Sequence, residues 1–141
     1  MSDWTDKLPE AARAYLENRR LDEVECIISD LPGIARGKAM PASKFAKQEY
    51  FHLPDSIFYQ TITGDWSEAA GEEGFIERDM ILKPDLDAVY IDPFSATPMM
   101  ILCCDIVEPS TMDLYDRDPR SIAKRAEAYL KASGLGDTAY F

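Results

Sequence analysis

Apolar residues recur along this chain with two different periods, and the change from one to the other divides it into helices and strands. From Asp6 to Arg20, Leu8, Ala12, Tyr15 and Leu16 stand at i, i+4, i+7 and i+8, which predicts a helix with one buried stripe. Pro9 fits only its first turn, with Thr5 or Asp6 as the cap. Val24 to Ser29 alternates, with Val24, Cys26 and Ile28 on one face, and predicts a strand. Leu31-Pro32-Gly33 turns the chain, and Ile34 to Met40 returns as a second strand. Ala42 to Tyr50 reads as a short helix that buries Phe45 and ends at His52-Leu53-Pro54. Ile57 to Ile62 is β-branched and aromatic, which favours a strand.

Beyond it, Gly64 to Asp79 reads as a loop, with Gly71 and Gly74 freeing its backbone. Three short strands follow. Met80 to Leu82 runs into a Lys83-Pro84-Asp85 turn, Ala88 to Ile91 is stopped by Asp92-Pro93, and Met99 to Val107 is apolar enough for the centre of a sheet. Asp118-Pro119 then opens a helix, since aspartate caps well and proline at the first helical position sacrifices no hydrogen bond. Ile122, Ala126, Tyr129 and Leu130 are its expected buried face, and Gly134 its stop. Thr138 to Phe141 reads as the opening of a further strand, which suggests a piece of a longer chain.

Charge narrows the function. The 141 residues carry 26 acidic against 15 basic side chains, a formal charge of −11 that repels phosphate backbones and anionic membrane surfaces. No nucleic-acid or membrane partner is therefore expected, no apolar run is long enough to span a bilayer, and the first residues have no signal-peptide pattern. Three cysteines, with Cys103 and Cys104 adjacent in an apolar run, fit reduced and buried thiols in the cytoplasm. One histidine, His52, and no C-x-x-C pair leave no metal site of that type, so no metal ligand is assigned in this chain. His52 beside aromatic Tyr50 and Phe51 reads as a packed or surface residue. Gly33-Ile34-Ala35-Arg36-Gly37-Lys38 is not a phosphate loop and reads as a basic hairpin.

The acidic loop holds more chemistry. Asp65, Glu68, Glu72, Glu73, Glu77 and Asp79 face Arg78 alone, and clustered carboxylates can bind an ammonium group or raise one pKa into the range of a general base. Such runs are more often simply solvated. Trp66 beside Asp65 adds an aromatic anchor of the kind that closes over ligands. On the residues alone, the reading is a soluble cytoplasmic α+β domain with an acidic loop.

Four segments in order carry a resemblance: Arg78 to Asp85, Ile91-Asp92-Pro93-Phe94, Cys104-Asp105-Ile106, and Tyr115 to Arg125. Together with Ser29 to Gly33 and Arg36-Gly37-Lys38, they resemble the amino-terminal portion of the glutamine synthetase family from about Val24 onwards. The resemblance implies an α+β, β-grasp-like small mixed sheet with flanking helices. It divides the chain into an N-terminal helix at 1–22, the β-grasp domain at 23–109, and a linker, helix and first strand of a truncated catalytic domain at 110–141. The resemblance also implies ring-shaped homo-oligomers, in which this domain lends a loop to the neighbouring identical subunit's active site. The family reaction joins glutamate to ammonia at the expense of ATP, with Mg2+ or Mn2+ organising the phosphates. None of these cofactors is expected on this chain alone, which should be inactive.

Counting back from Asp79-Met80 puts Asp65 at the family's ammonium-binding, proton-accepting aspartate, followed by Ser67 as a substrate-binding residue. The family usually continues from that aspartate in glycine and serine, with a tryptophan later. Here Trp66 follows at once, and Glu72 takes the later place. Arg36-Gly37-Lys38 and Glu68 to Gly71 are closer to the γ-glutamyl-polyamine branch, whereas Asp79 to Asp85 and Tyr115 to Arg125 favour the true synthetases. The nitrogen donor, ammonia or an amine, is therefore left open. A stand-alone, non-catalytic β-grasp interaction module is the alternative from another class.

Overall fold

The computed structural model describes residues 4–48, 50–68 and 76–138. Its centre is a five-stranded sheet built from β1 (Glu23–Ser29), β2 (Ala35–Pro41), β3 (Phe51–Pro54), β4 (Asp79–Ile91) and β5 (Met99–Val107), in the order β2-β1-β5-β4-β3. β5 lies in the middle, as its apolar run predicts. It pairs parallel with β1 and antiparallel with β4, and the other pairings are antiparallel. Val24, Cys26 and Ile28 alternate onto the same buried face as Met100, Leu102, Cys104 and Ile106. Helices α1 (Glu10–Leu16) and α2 (Ala42–Phe45) cover that face, bringing Ala12 and Phe45 into the core, and Leu8, just before α1, joins them. Phe45 stacks on Phe51 with ring centroids 5.4 Å apart, and Trp4 meets Phe45 edge-on at 4.6 Å. This is the α+β, β-grasp arrangement expected.

Several local expectations are corrected. The N-terminal helix is split into a 3-10 turn at Trp4–Lys7 and the shorter α1, because Pro9, not Thr5 or Asp6, occupies the N-cap position of α1. α2 ends at Phe45, and the following His52-Leu53-Pro54, expected as a stop, belongs to β3 with Phe51 and Leu53 buried. Pro54 closes this short edge strand, where a missing N–H costs no ladder bond. Ile57 to Ile62 is not a strand: residues Asp55–Tyr59 form a 3-10 helix that buries Asp55, Ser56 and Phe58. Asp55 directs that turn, because its N–H donates to the Arg78 carbonyl at 2.8 Å and its Oδ1 accepts from Arg78 N–H at 3.1 Å.

The two short strands around Lys83-Pro84-Asp85 are one strand, β4, with a register shift between Pro84 and Val89. β3 pairs with β4 only as far as Leu82, so Pro84 lacks a strand on its outer side that would need its N–H. The last helix, α3 (Pro119–Ser133), has the predicted ends. Asp118 accepts from the N–H groups of Arg120 and Ser121, and Gly134 takes φ +72° as the left-handed C-cap. Its predicted buried face does not form. Ile122 is 48% exposed and Tyr129 76%, and Ser121 is the buried residue of the helix. α3 lies against β1 and β5. The residues it meets there, Cys103 and Asp105, alternate with the core-facing Leu102, Cys104 and Ile106, so α3 sits on the opposite sheet face from α1 and α2. Of the expected final strand, Thr138 to Phe141, all but Thr138 lies outside the described residues. No helix of the described residues is long and apolar enough to cross a membrane.

Candidate functional site

The acidic segment opens as a small hairpin. Gln60 and Trp66 form an isolated antiparallel bridge, Thr61 N–H donates to the Asp65 carbonyl at 2.8 Å, and Gly64 N–H donates to the Thr61 carbonyl at 3.0 Å. Gly64 turns the chain at φ +86°, a conformation that side chains resist. The two threonines complete the turn. Thr61 Oγ1 accepts from Asp65 N–H at 3.1 Å, and Thr63 Oγ1 donates to Asp65 Oδ2 at 2.7 Å. Asp65 is thus exposed yet oriented, with one carboxylate oxygen held and Oδ1 taking no bond from a described residue. Ser67 is half-buried, and its N–H donates to the Tyr59 carbonyl at 2.8 Å, which ties the hairpin base to the 3-10 helix.

Alternation across the bridge puts Trp66 on the other side from Asp65. Trp66 lines an open groove of about 390 Å³ together with Arg36, Leu53, Ile57, Gln60 and Glu77. The groove exists because the sheet curls. β2 and β3 are its opposite edges, yet Lys38 Nζ donates to the His52 carbonyl at 2.6 Å. The His52 side chain is exposed. The remainder of the acidic run is divided: Glu77 accepts from Ser56 Oγ, and Arg78 pairs with Asp55 at 3.6 Å. Gly71, Glu72, Glu73 and Gly74 lie outside the described residues, as does most of the segment from Glu68 to Gly71.

The basic hairpin has a structural task. Buried Asp30 accepts from Ile34 N–H at 2.7 Å and from Arg36 Nε at 2.9 Å, which closes the β1–β2 turn around Gly33 at φ +86°. Among the described residues, no group of three or more His, Cys, Asp or Glu side chains is placed to hold a metal ion.

Sequence reasoning did not bring together a second charged constellation. Arg120 and Lys124 of α3 meet Asp85 of β4 and Asp105 of β5. Burial pushes the Asp85 carboxyl up, but the Asp87 amide, the Lys124 charge and the Arg120 guanidinium outweigh it and hold the group below its ordinary value. Burial works against the charge of Arg120 too, yet its bonds to Asp105 and Asp85 hold the guanidinium above its ordinary value. The readable signal was the i, i+4 spacing of the two cations and a lone aspartate in the apolar β5 run. Arg117, by contrast, sits over the Tyr59 ring at 5.1 Å.

The family described as glutamine synthetase, beta-Grasp domain, matches residues 21–109. The chain belongs to the glutamine synthetase family. A glutamine synthetase of Methylococcus capsulatus is 41% identical over 133 residues, covering 94% of this chain and 27% of the relative. A 3-hydroxylaminophenol mutase of Cupriavidus pinatubonensis is 54% identical over 90 residues, 64% of this chain and 19% of that protein. The chain thus spans about a fifth to a quarter of the curated relatives it matches. A solved structure described as a novel glutamine synthase homolog superposes with a TM-score of 0.67 at 19% identity, over 82% of this chain and 28% of that one, a likeness of fold.

Proposed function

We propose that this chain is the β-grasp part of an ATP-dependent glutamate–ammonia ligase and that its hairpin completes the nitrogen-donor site of a neighbouring identical subunit. The observation that carries the reading is the presentation of Asp65 at an exposed turn, with Oδ2 held by Thr63 and Oδ1 turned to no described donor. A carboxylate so placed attracts an ammonium ion and can accept its proton, and the released amine is then the nucleophile that glutamate's activated side chain requires. Ser67, anchored to Tyr59, holds the hairpin base beside that carboxylate and is the substrate-binding residue of the reading. ATP and Mg2+ or Mn2+ are held by the rest of the ligase, and the chain by itself is inactive.

A second reading changes the nitrogen donor from ammonia to an amine. Trp66, directly after Asp65, borders a groove of about 390 Å³, which offers the body of a larger donor an aromatic wall. The 54% identical mutase adds a reason to test it, because a closely similar β-grasp portion occurs in a protein of another printed activity.

The experiment is phosphate release by the full-length protein carrying this sequence, with glutamate and ATP and either ammonium or putrescine. More phosphate with ammonium supports the first reading, and more with putrescine the second. Asp65→Ala is expected to weaken use of the nitrogen donor about 100-fold, as losing a positioned acid–base group does, with the KM for ATP nearly unchanged. Equal loss for nitrogen donor and ATP would remove Asp65 from this role. A protein with neither activity would leave the β-grasp interaction module as the reading.

A further inference from the structure

The sheet has an apolar layer on one face, while the helix on its other face is attached by different means. α3 exposes its own apolar residues, Ile122 and Tyr129, and turns Arg120 and Lys124 toward the sheet. Arg120 Nε lies 2.9 Å from Asp105 Oδ1, and its Nη2 lies 2.5 Å from Asp85 Oδ2. Lys124 Nζ lies 2.7 Å from both oxygens of Asp105 and 3.4 Å from Asp85 Oδ2. Each cation therefore bridges both anions.

The anions come from two strands. Asp105 is on β5, and Asp85 is in the irregular stretch of β4, where its Oδ1 accepts from Asp87 N–H at 3.1 Å. β1, the other strand against α3, brings Ile27, Ile28 and Ser29 to the small cavity beside Arg120, and none of these carries charge. The four charged side chains keep between 16% and 35% of their surface in water. Both anions lie within residues 21–109, the part matched as β-grasp domain, and both cations lie beyond it. The cluster is thus the joint between the matched sheet and the helix that follows.

We propose that this four-charge joint is a releasable clasp, which holds α3 on the β-grasp sheet by ion pairing and can open while the sheet stays folded. Two physical facts separate it from an ordinary packed helix. Ion pairs open to water weaken as salt screens them, whereas apolar burial does not. A helix with few buried apolar contacts can also open as its own unit, below the free energy of global unfolding. Release pivots at the helix start, where buried Asp118 caps α3 and Tyr115 N–H donates to the Ile106 carbonyl at 2.9 Å. The clasp thereby sets the direction of α3 relative to the sheet.

Amide hydrogen exchange of the 141-residue chain tests this, read by mass spectrometry on α3 and on β1 and β5 separately. Raising sodium chloride from about 0.05 M to about 1 M is expected to speed exchange across α3 about tenfold, with β1 and β5 unchanged. The double variant Arg120→Met with Lys124→Met is expected to exchange fast in α3 at both salt concentrations. Salt-insensitive protection of α3 in the wild-type chain would overturn the proposal, as would helix and sheet amides responding together. Should the double variant fail to fold, the wild-type salt series decides by itself.

Discussion

A methyl group added at Gly37 would stand 2.0 Å from the carbonyl oxygen of Cys26, so glycine is the residue that lets β2 approach β1 here. The obstacle is backbone on the central side of the sheet, which cannot swing away as a long side chain can. Gly37→Ala is therefore expected to destabilise the chain by about 2–4 kcal/mol, read as a lower urea midpoint at unchanged slope. The Gly33-to-Lys38 motif was readable as a hairpin, but the need for this glycine comes from a strand that only tertiary pairing supplies. The cysteines divide in a similar way. Cys26 and Cys104 are free and buried, and the hydrogen bond between them together with burial pushes the Cys104 thiol well above its ordinary value. Cys103 alternates to the other face and is partly exposed. A thiol reagent at neutral pH should modify Cys103 first and reach Cys26 and Cys104 only after denaturation, which peptide mapping would show. The adjacency of Cys103 and Cys104 made them look equivalent, and strand alternation makes them different.

α3 shows what an element's sequence can and cannot say about itself. Its ends are local chemistry, and both were readable. Asp118 is buried and accepts from Arg120 N–H, from Ser121 N–H at 2.8 Å and from Ser121 Oγ at 2.6 Å. Asp118→Ala should cost about 1–2 kcal/mol through the lost cap, seen as reduced helical signal and a lower Tm. Its sheet-facing side was misread, because a stripe at i, i+4, i+7 and i+8 predicts burial only where an apolar surface waits to receive it. The surface waiting here is Asp85 and Asp105. Asp85 also carries a pH dependence. Its folded-state pKa lies below the ordinary value of 3.8, so its contribution to stability is fully present above that value. The contribution is lost as pH falls through the lowered pKa, and α3 protection should fall with it in an exchange series run below pH 4. The same contrast explains β3 and the 3-10 helix after it. β-branched and aromatic composition favoured a strand over Ile57 to Ile62, but two bonds between Asp55 and Arg78, 23 residues apart, hold the turn instead: the Asp55 N–H donates to the Arg78 carbonyl, and the Arg78 N–H donates to the Asp55 carboxylate.

Across the whole molecule, stability concentrates on β5, which joins the parallel β1 to the antiparallel β4 and contributes Met100, Leu102, Cys104 and Ile106 to the core. Leu102 is fully buried at the centre, and Leu102→Ala should cost about 2–5 kcal/mol by chemical denaturation, the range for a leucine cavity with no room to collapse. The −11 charge leaves this core untouched, because most carboxylates are on the surface and the buried Asp30, Asp55 and Asp118 are each hydrogen-bonded. By itself the sequence determined the class of the fold, the central strand, the two long strands that flank the first turn, the ends of the last helix and the family. Each of these rests on period, on local capping chemistry or on ordered motifs, all of which act within a few residues. Tertiary structure decided the strand order, the continuity of β4 past Pro84, the curl that brings Lys38 to His52, the orientation of Asp65 by Thr63, and the ionic seat of α3. Those outcomes depend on which groups distant parts of the chain bring into contact, and neither hydrophobic period nor composition carries that information.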